Sequence, residues 1–196
     1  MPTIDALDPS TTALLVMDHQ NMLVQGFTKD PAAHLEAVAR VIGKAREAGI
    51  TIIYIRKAFR HGYPEVHDAN MIFSGVRAGG RLLEGDEATE IPERIAPAEG
   101  DIVVRGHRIS AFEGTELSLV LRANRIETLV MFGIATSGVV LSTVRQGADK
   151  DFAMFVIGDL CADNDAEVND FLLQQIIPRQ AVVLSSDDLI DRLGRS

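Results

Sequence analysis

Tryptophan is missing from this chain of 196 residues, tyrosine occurs twice and cysteine once. With so few large aromatic rings, the chain has little surface on which bases or sugars could stack. A formal net charge of -9 leaves no overall positive field to draw in nucleic acid, so no nucleic-acid partner is expected. The lone thiol, Cys161, rules out an intrachain disulfide and a multi-cysteine metal site, which suits a reducing compartment. No apolar run approaches ~20 residues, and no basic N-terminal stretch leads into an apolar one. The expectation is a cytoplasmic protein with no membrane association. No glycine-rich phosphate fingerprint follows the first strand pattern, so no nucleotide cofactor is expected either.

What the chain does have is apolar content, at 46%, enough for one domain over residues 1–196 with a sizeable core. Short apolar runs alternate with helical patterns almost throughout. The predicted strands are Ala13–Asp18, Ile50–Ile55, Asp101–Arg105, Thr128–Ile134, Ala153–Ile157 and Ala181–Ser185. They are rich in Val, Ile and Leu without strict alternation, as in strands covered on both faces of a parallel sheet. Helices are predicted at Pro31–Ala48, Thr115–Asn124, Ser137–Asp149, Asp165–Ile177 and Asp187–Leu193. In the first, Leu35, Val38, Ala39, Ile42 and Ala45 share a face, and Gly49 ends it. Thr115 looks like an N-cap.

Such alternation with right-handed crossovers implies an α/β fold, a three-layer α/β/α sandwich around a six-stranded, mostly parallel sheet. Ligands in these sheets bind beyond the carboxyl ends of the strands. That rule selects Asp18, Arg56, the Arg105–His107 stretch, Ile134–Val139 and Asp159. The section from Phe59 to Gly100, rich in Gly and Pro, reads as mostly irregular, and such long loops are usually functional or interfacial.

Three motifs carry more. The first, Ala13-Leu-Leu-Val-Met-Asp18-His-Gln20-Asn, is a strand ending in an acid with a Gln two residues on. The second is Val103-Val-Arg-Gly106-His-Arg108-Ile-Ser110-Ala-Phe112. The third runs from Thr128 to Arg145 through Phe132-Gly133-Ile134-Ala135-Thr136-Ser137-Gly138-Val139-Val140, an apolar strand that turns into a helix opened by Thr136 or Ser137. A helix start of this kind leaves backbone N–H groups available for an oxyanion. From about Ala13 to the last strand, the chain resembles the isochorismatase-like cysteine hydrolases, whose turn reads Gly-Val-x-Thr-x-x-Cys-Val-x-x-Thr. Supporting matches are Tyr54 to Pro64 and Pro178 to Ala181.

The resemblance implies an isochorismatase-like, Rossmann-like fold and an Asp–Lys–Cys catalytic set. In that set the Asp takes the thiol proton, the Lys holds the Asp charged and the turn holds the oxyanion. Asp18 matches the Asp, but the Lys position is Gly106 and the Cys position is Val139. Arg105 or His107 is the sequence's nearest replacement for the missing positive charge. One branch of the family, hydrolysing a vinyl ether, also lacks the cysteine and uses the Asp as a general acid. The first expectation is therefore hydrolysis of a small carboxylated metabolite with Asp18 as acid and no thiol nucleophile. The alternatives are a non-catalytic member that binds a metabolite or serves in an assembly, and an amide or ester hydrolase with a rearranged site using Cys161.

For substrate contact, Gln20 could orient a carbonyl, and Phe27, Phe59 and Phe112 could wall an apolar pocket. Arg56, Arg60, Arg105 and Arg108 are forks suited to a carboxylate, with Arg108 equally readable as a loop brace. Ile134-Ala135 and Val139 would lie against the substrate, and relatives carry a cis peptide at the position of Ile134-Ala135. His19, His61 and His67 do not reproduce the Asp-x-His-x-His metal arrangement of the related nicotinamidases, so no metal is expected. The partners implied are a small-molecule substrate and, by resemblance, further copies of the chain in a homodimer or a higher homo-oligomer.

Overall fold

The computed structural model describes residues 7–194. Six strands form one sheet: β1 (Thr12–Met17), β2 (Thr51–Lys57), β3 (Ile102–Gly106), β4 (Thr128–Gly133), β5 (Ala153–Ile157) and β6 (Val182–Leu184). Their order is β3-β2-β1-β4-β5-β6, and every pairing is parallel. All six residues of β1 are buried, as are Leu129 to Gly133 of β4, which is why these strands read as unbroken apolar runs.

The helices are α1 (Asn21–Phe27), α2 (Pro31–Glu47), α3 (Met71–Ala78), α4 (Leu117–Ala123), α5 (Leu141–Ala148), α6 (Ala166–Phe171) and α7 (Ser186–Leu193). Asp30 caps α2 by accepting from Ala33 N, Pro31 occupies its first turn, and Val38, Val41, Ile42 and Ala45 form its buried face. Capping of α4 follows the sequence reading in part: the Thr115 hydroxyl accepts from Leu117 N and donates to Ala111 O.

From β1 the chain order runs outward in both directions, to β2 and β3 on one side and to β4, β5 and β6 on the other. Right-handed crossovers then send the connecting helices to opposite faces and open a crevice between β1 and β4 at their carboxyl ends. Asp18 follows β1 and the Ile134–Val140 turn follows β4, so both sit at that crevice.

Three elements go beyond the sequence reading. Residues 59–100 are mostly irregular, as expected, but they include α3, an eight-residue helix capped by the Asn70 side chain accepting from Phe73 N. The helix predicted from Ser137 opens instead with a π-helical turn, Thr136–Val140, before α5. α1 was absent from the prediction altogether. Among the described residues no helix is long and apolar enough to cross a membrane.

Candidate active site

Gly133 closes the crevice. A Cβ there would stand 3.0 Å from both the Met17 carbonyl oxygen and Val139 Cγ1, so only glycine lets the turn approach β1 this closely. Beyond it, the Ile134–Ala135 peptide bond is cis. Asp18 leaves β1 with φ at 56°, in the left-handed region, while its N–H still donates to Ile55 O at 2.8 Å. Aspartate tolerates that conformation better than most residues, and it turns the carboxyl group off the strand line.

Asp18 is buried, and its Oδ2 receives Lys57 Nζ at 2.7 Å. Its other oxygen, Oδ1, has no hydrogen-bond partner. Burial pushes the Asp18 carboxyl above its ordinary range, and the adjacent Lys57 only partly offsets this. Asp18 and Lys57 line a cavity of about 370 Å³ with Phe27, Phe73, Ile109, Ile134, Ala135 and Val139. The cavity also reaches Arg81, Ser137 and Ser142.

Lys57 is the residue that sequence reasoning missed. Neither Arg105 nor His107 supplies the positive charge. Arg105 holds Glu84 at 2.7 Å, and His107 faces Glu65 at 3.7 Å and packs edge-on against Phe59. Lys57 is the last residue of β2 and the register partner of Gly106 on β3. A Cβ at Gly106 would lie 3.7 Å from Ile55 Cγ2, so position 106 addresses the sheet face shared by Ile55 and, two residues on, Lys57. The signal was a lysine, just after Arg56, ending a largely apolar strand next to the Asp18 strand.

Gln20 does not orient a substrate carbonyl. Its Nε2 donates to Lys57 O at 2.8 Å and Thr89 O at 2.6 Å, and its Oε1 accepts from Lys57 N at 2.8 Å. The buried amide therefore fixes the Lys57 backbone. Arg56 is outside the cavity as well, paired with Glu90 at 2.9 Å. Arg60 pairs with Glu65, and Arg108 braces the loop by donating to Glu65 O at 3.0 Å and to His107 O at 2.7 Å. Phe112 is a core residue stacked near Phe152, not a cavity wall, and Phe59 sits in a second apolar cluster with Tyr63 and Phe73. Phe27 and Phe73 are the phenylalanines on the cavity.

The turn after β4 is more occupied than its sequence suggests. Thr136 N donates to Ala162 O, Ser137 N to Asp163 Oδ2, and Gly138 N to Ala135 O. Ala135 itself lines the cavity. The Ser110-Ala-Phe112 motif anchors this turn's helix, with Ala111 N donating to Thr143 Oγ1 at 3.0 Å.

Cys161 does not line this cavity. It borders a separate depression with His34 and Asp163. Its thiol is buried and pushed up to about 12, so it is a neutral core group at neutral pH. Asp159 accepts from Ser186 N and Oγ and is structural. His19 is buried against His34, with their Nε2 atoms 3.0 Å apart, and His67 accepts from Ala69 N. Among the described residues no group of three or more His, Cys, Asp or Glu side chains could hold a metal.

An isochorismatase domain model matches residues 12–188. The ureidoacrylate amidohydrolase RutB of Methylobacterium radiotolerans is 33% identical, the match covering 79% of this chain and 68% of that protein. The N-carbamoylsarcosine amidase of an Arthrobacter species is 30% identical over 80% of this chain and 60% of its own length. In structure, the chain is similar to a cysteine hydrolase from Pseudomonas syringae pv. phaseolicola, with a TM-score of 0.89, 24% identity and coverage of 96% and 95%. The match over nearly the whole sheet and both halves of the crevice means that the chain belongs to the isochorismatase family.

Proposed function

We propose that the protein hydrolyses a small carboxylated metabolite without a covalent enzyme intermediate, with Asp18 as general acid. The observation that carries this reading is a buried carboxyl group with a raised pKa and one unsatisfied oxygen, on a cavity also lined by Val139, the residue that family resemblance puts at the nucleophile position. A valine offers no lone pair, so the acyl-enzyme route of a cysteine hydrolase is closed at that position. Acid catalysis on a vinyl ether needs no such lone pair. Protonated Asp18 gives its proton to the terminal carbon of the double bond, leaving an oxocarbenium ion and a carboxylate that Lys57 stabilises. Water adds to the cation and returns a proton to Asp18, and the hemiketal then collapses to a carbonyl compound and an alcohol. Two of the relatives named above are an amidohydrolase and an amidase by name; the valine at the position that resemblance gives to the nucleophile is our reason for proposing a different reaction here.

The test is hydrolysis of a panel of enol ethers, amides and esters by wild type and Asp18→Asn. Turnover of an enol ether that disappears in Asp18→Asn supports the reading. Silence across the panel, with ligands still bound, gives the chain a binding role. One observation favours that second reading: the turn's own N–H groups are largely taken by Ala162, Asp163 and Ala135. In either role the partner is a small molecule, in the cytoplasm, and self-association is part of the same proposal, checked by sedimentation.

A further inference from the structure

Three charged side chains reach the cavity: Asp18, Lys57 and Arg81. The first two hold each other at 2.7 Å, which leaves Arg81 as the charged residue there with no acidic partner, in an otherwise largely apolar chamber. Among the described residues Arg81 has no carboxylate partner; its guanidinium makes one long contact, from Nη2 to Gly75 O at 3.5 Å. Its neighbours in the same segment behave differently, with Arg60 holding Glu65 and Arg77 holding Asp68.

The backbone of Arg81 is fixed, while its guanidinium makes only the one long contact to Gly75 O. Arg81 N donates to Val76 O at 3.1 Å, and Arg81 O accepts from Tyr63 Oη at 2.8 Å. The next residue, Leu82, is buried, and its carbonyl receives Phe59 N at 2.8 Å. The side chain then crosses Gly79, where an added Cβ would stand 2.9 Å from Arg81 Nε. Gly79 thus gives the guanidinium its path, and it needs no left-handed backbone to do so.

We propose that Arg81 is the carboxylate-recognising residue of this site, and that the ligand is a small monocarboxylate with an apolar body. This rests on the hydrolase reading for its reaction, but not for its binding. Arg81 is exposed whereas Asp18 is buried, so the ligand enters with its reacting group first and leaves its carboxylate at the mouth. The planar fork matches a carboxylate in two hydrogen bonds, which a lysine cannot reproduce. The ring or chain between them packs on Phe27, Phe73 and Val76.

Calorimetry with 3-phenylpropanoate and its neutral amide tests this on the intact protein. Wild type is expected to bind the carboxylate about tenfold more tightly than the amide. Arg81→Met should bring the two within about twofold, Arg81→Lys should keep part of the preference, and Gly79→Ala should weaken only the carboxylate. Because Arg81 is exposed, Arg81→Met should melt within about 1 °C of wild type, which separates recognition from folding. Equal binding of the two probes by wild type, no saturable binding of either, or an undiminished preference in Arg81→Met overturns the proposal. Discrimination without hydrolysis of any substrate would sink the hydrolase reading alone, and turnover without discrimination would sink this one alone.

Discussion

Lys57 and Gly106 face each other in register across β2 and β3, and the positive charge absent from one is present on the other. Family resemblance puts a lysine at 106; the chain has it one strand nearer to Asp18, with Nζ 2.7 Å from Oδ2. Both positions address the same face of the sheet, so Lys57 meets Asp18 from the side on which position 106 lies. The acid role proposed for Asp18 therefore cannot rest on a missing lysine; it rests on burial, which outweighs the lysine's pull.

Replacing Lys57 by Met removes the one group that favours ionised Asp18. The Asp18 pKa is already above 3.8 and should climb further, moving the alkaline limb of the rate profile to higher pH. Turnover at the optimum should fall by about 10²-fold, since the carboxylate left after proton transfer loses its counter-charge. The stability sign follows from the same shift. A raised carboxyl favours the fold below 3.8, and that contribution is lost as pH rises through the folded value. The variant should thus be destabilised by about 3–5 kcal/mol at pH 8, where a buried carboxylate would stand unpaired, and by less at pH 5. Urea melts at the two pH values measure this, and a pH-independent difference would contradict it.

Asp18→Asn and Asp18→Ala should both abolish turnover but differ in stability. At φ 56° asparagine is tolerated and alanine is not, so the alanine variant should be less stable by about 1–2 kcal/mol. Equal denaturation midpoints would show that the left-handed geometry costs nothing there. Asparagine is the cleaner probe of chemistry for this reason.

The sheet was legible because its strands are buried on both faces and so read as apolar runs; β5 matches its predicted bounds at Ala153–Ile157. Asp18 was legible as a charged residue ending such a run. Lys57 was not, because motif alignment assigns a role to a position along the chain, whereas the charge can be supplied by any strand whose end reaches the same point in space. Gln20, Arg56, Arg105, His107 and Phe112 have the right chemistry near the right strand ends. Their partners, such as Thr89, Glu90, Glu84, Glu65 and Phe152, come from distant segments, and local sequence cannot reveal that they are already engaged. α3 went unread because it is short and lies between glycines and prolines.

His19 gives an acid-side prediction. Burial lowers its pKa from 6.5 to about 3, with the neighbouring His34 adding to the effect. Below 6.5 the unfolded chain takes up a proton that the folded chain refuses until about 3, so stability falls as pH drops through that window. The loss should reach a few kcal/mol for so large a shift. His19→Gln should flatten the stability profile between pH 6.5 and 3; a slope as steep as wild type would place the acid sensitivity elsewhere.

Val139→Cys asks whether the crevice can still host the chemistry of its relatives. Val139 is buried on the wall shared with Asp18 and Lys57, and removing part of a buried aliphatic side chain costs about 1 kcal/mol. The native thiol, Cys161, should resist iodoacetamide at pH 8 because its pKa lies near 12, and Cys161→Ala should turn over substrate like wild type. In the Cys161→Ala background, the thiol at 139 would sit beside a paired carboxylate able to take its proton. It should therefore alkylate at least tenfold faster than Cys161 does in wild type and give a burst with an activated ester. Alkylation without a burst would mean that the turn, with its N–H groups committed to Ala162, Asp163 and Ala135, no longer holds an oxyanion. No alkylation would mean that Asp18 and Lys57 do not serve position 139, and that the retained pair acts only on the bound ligand.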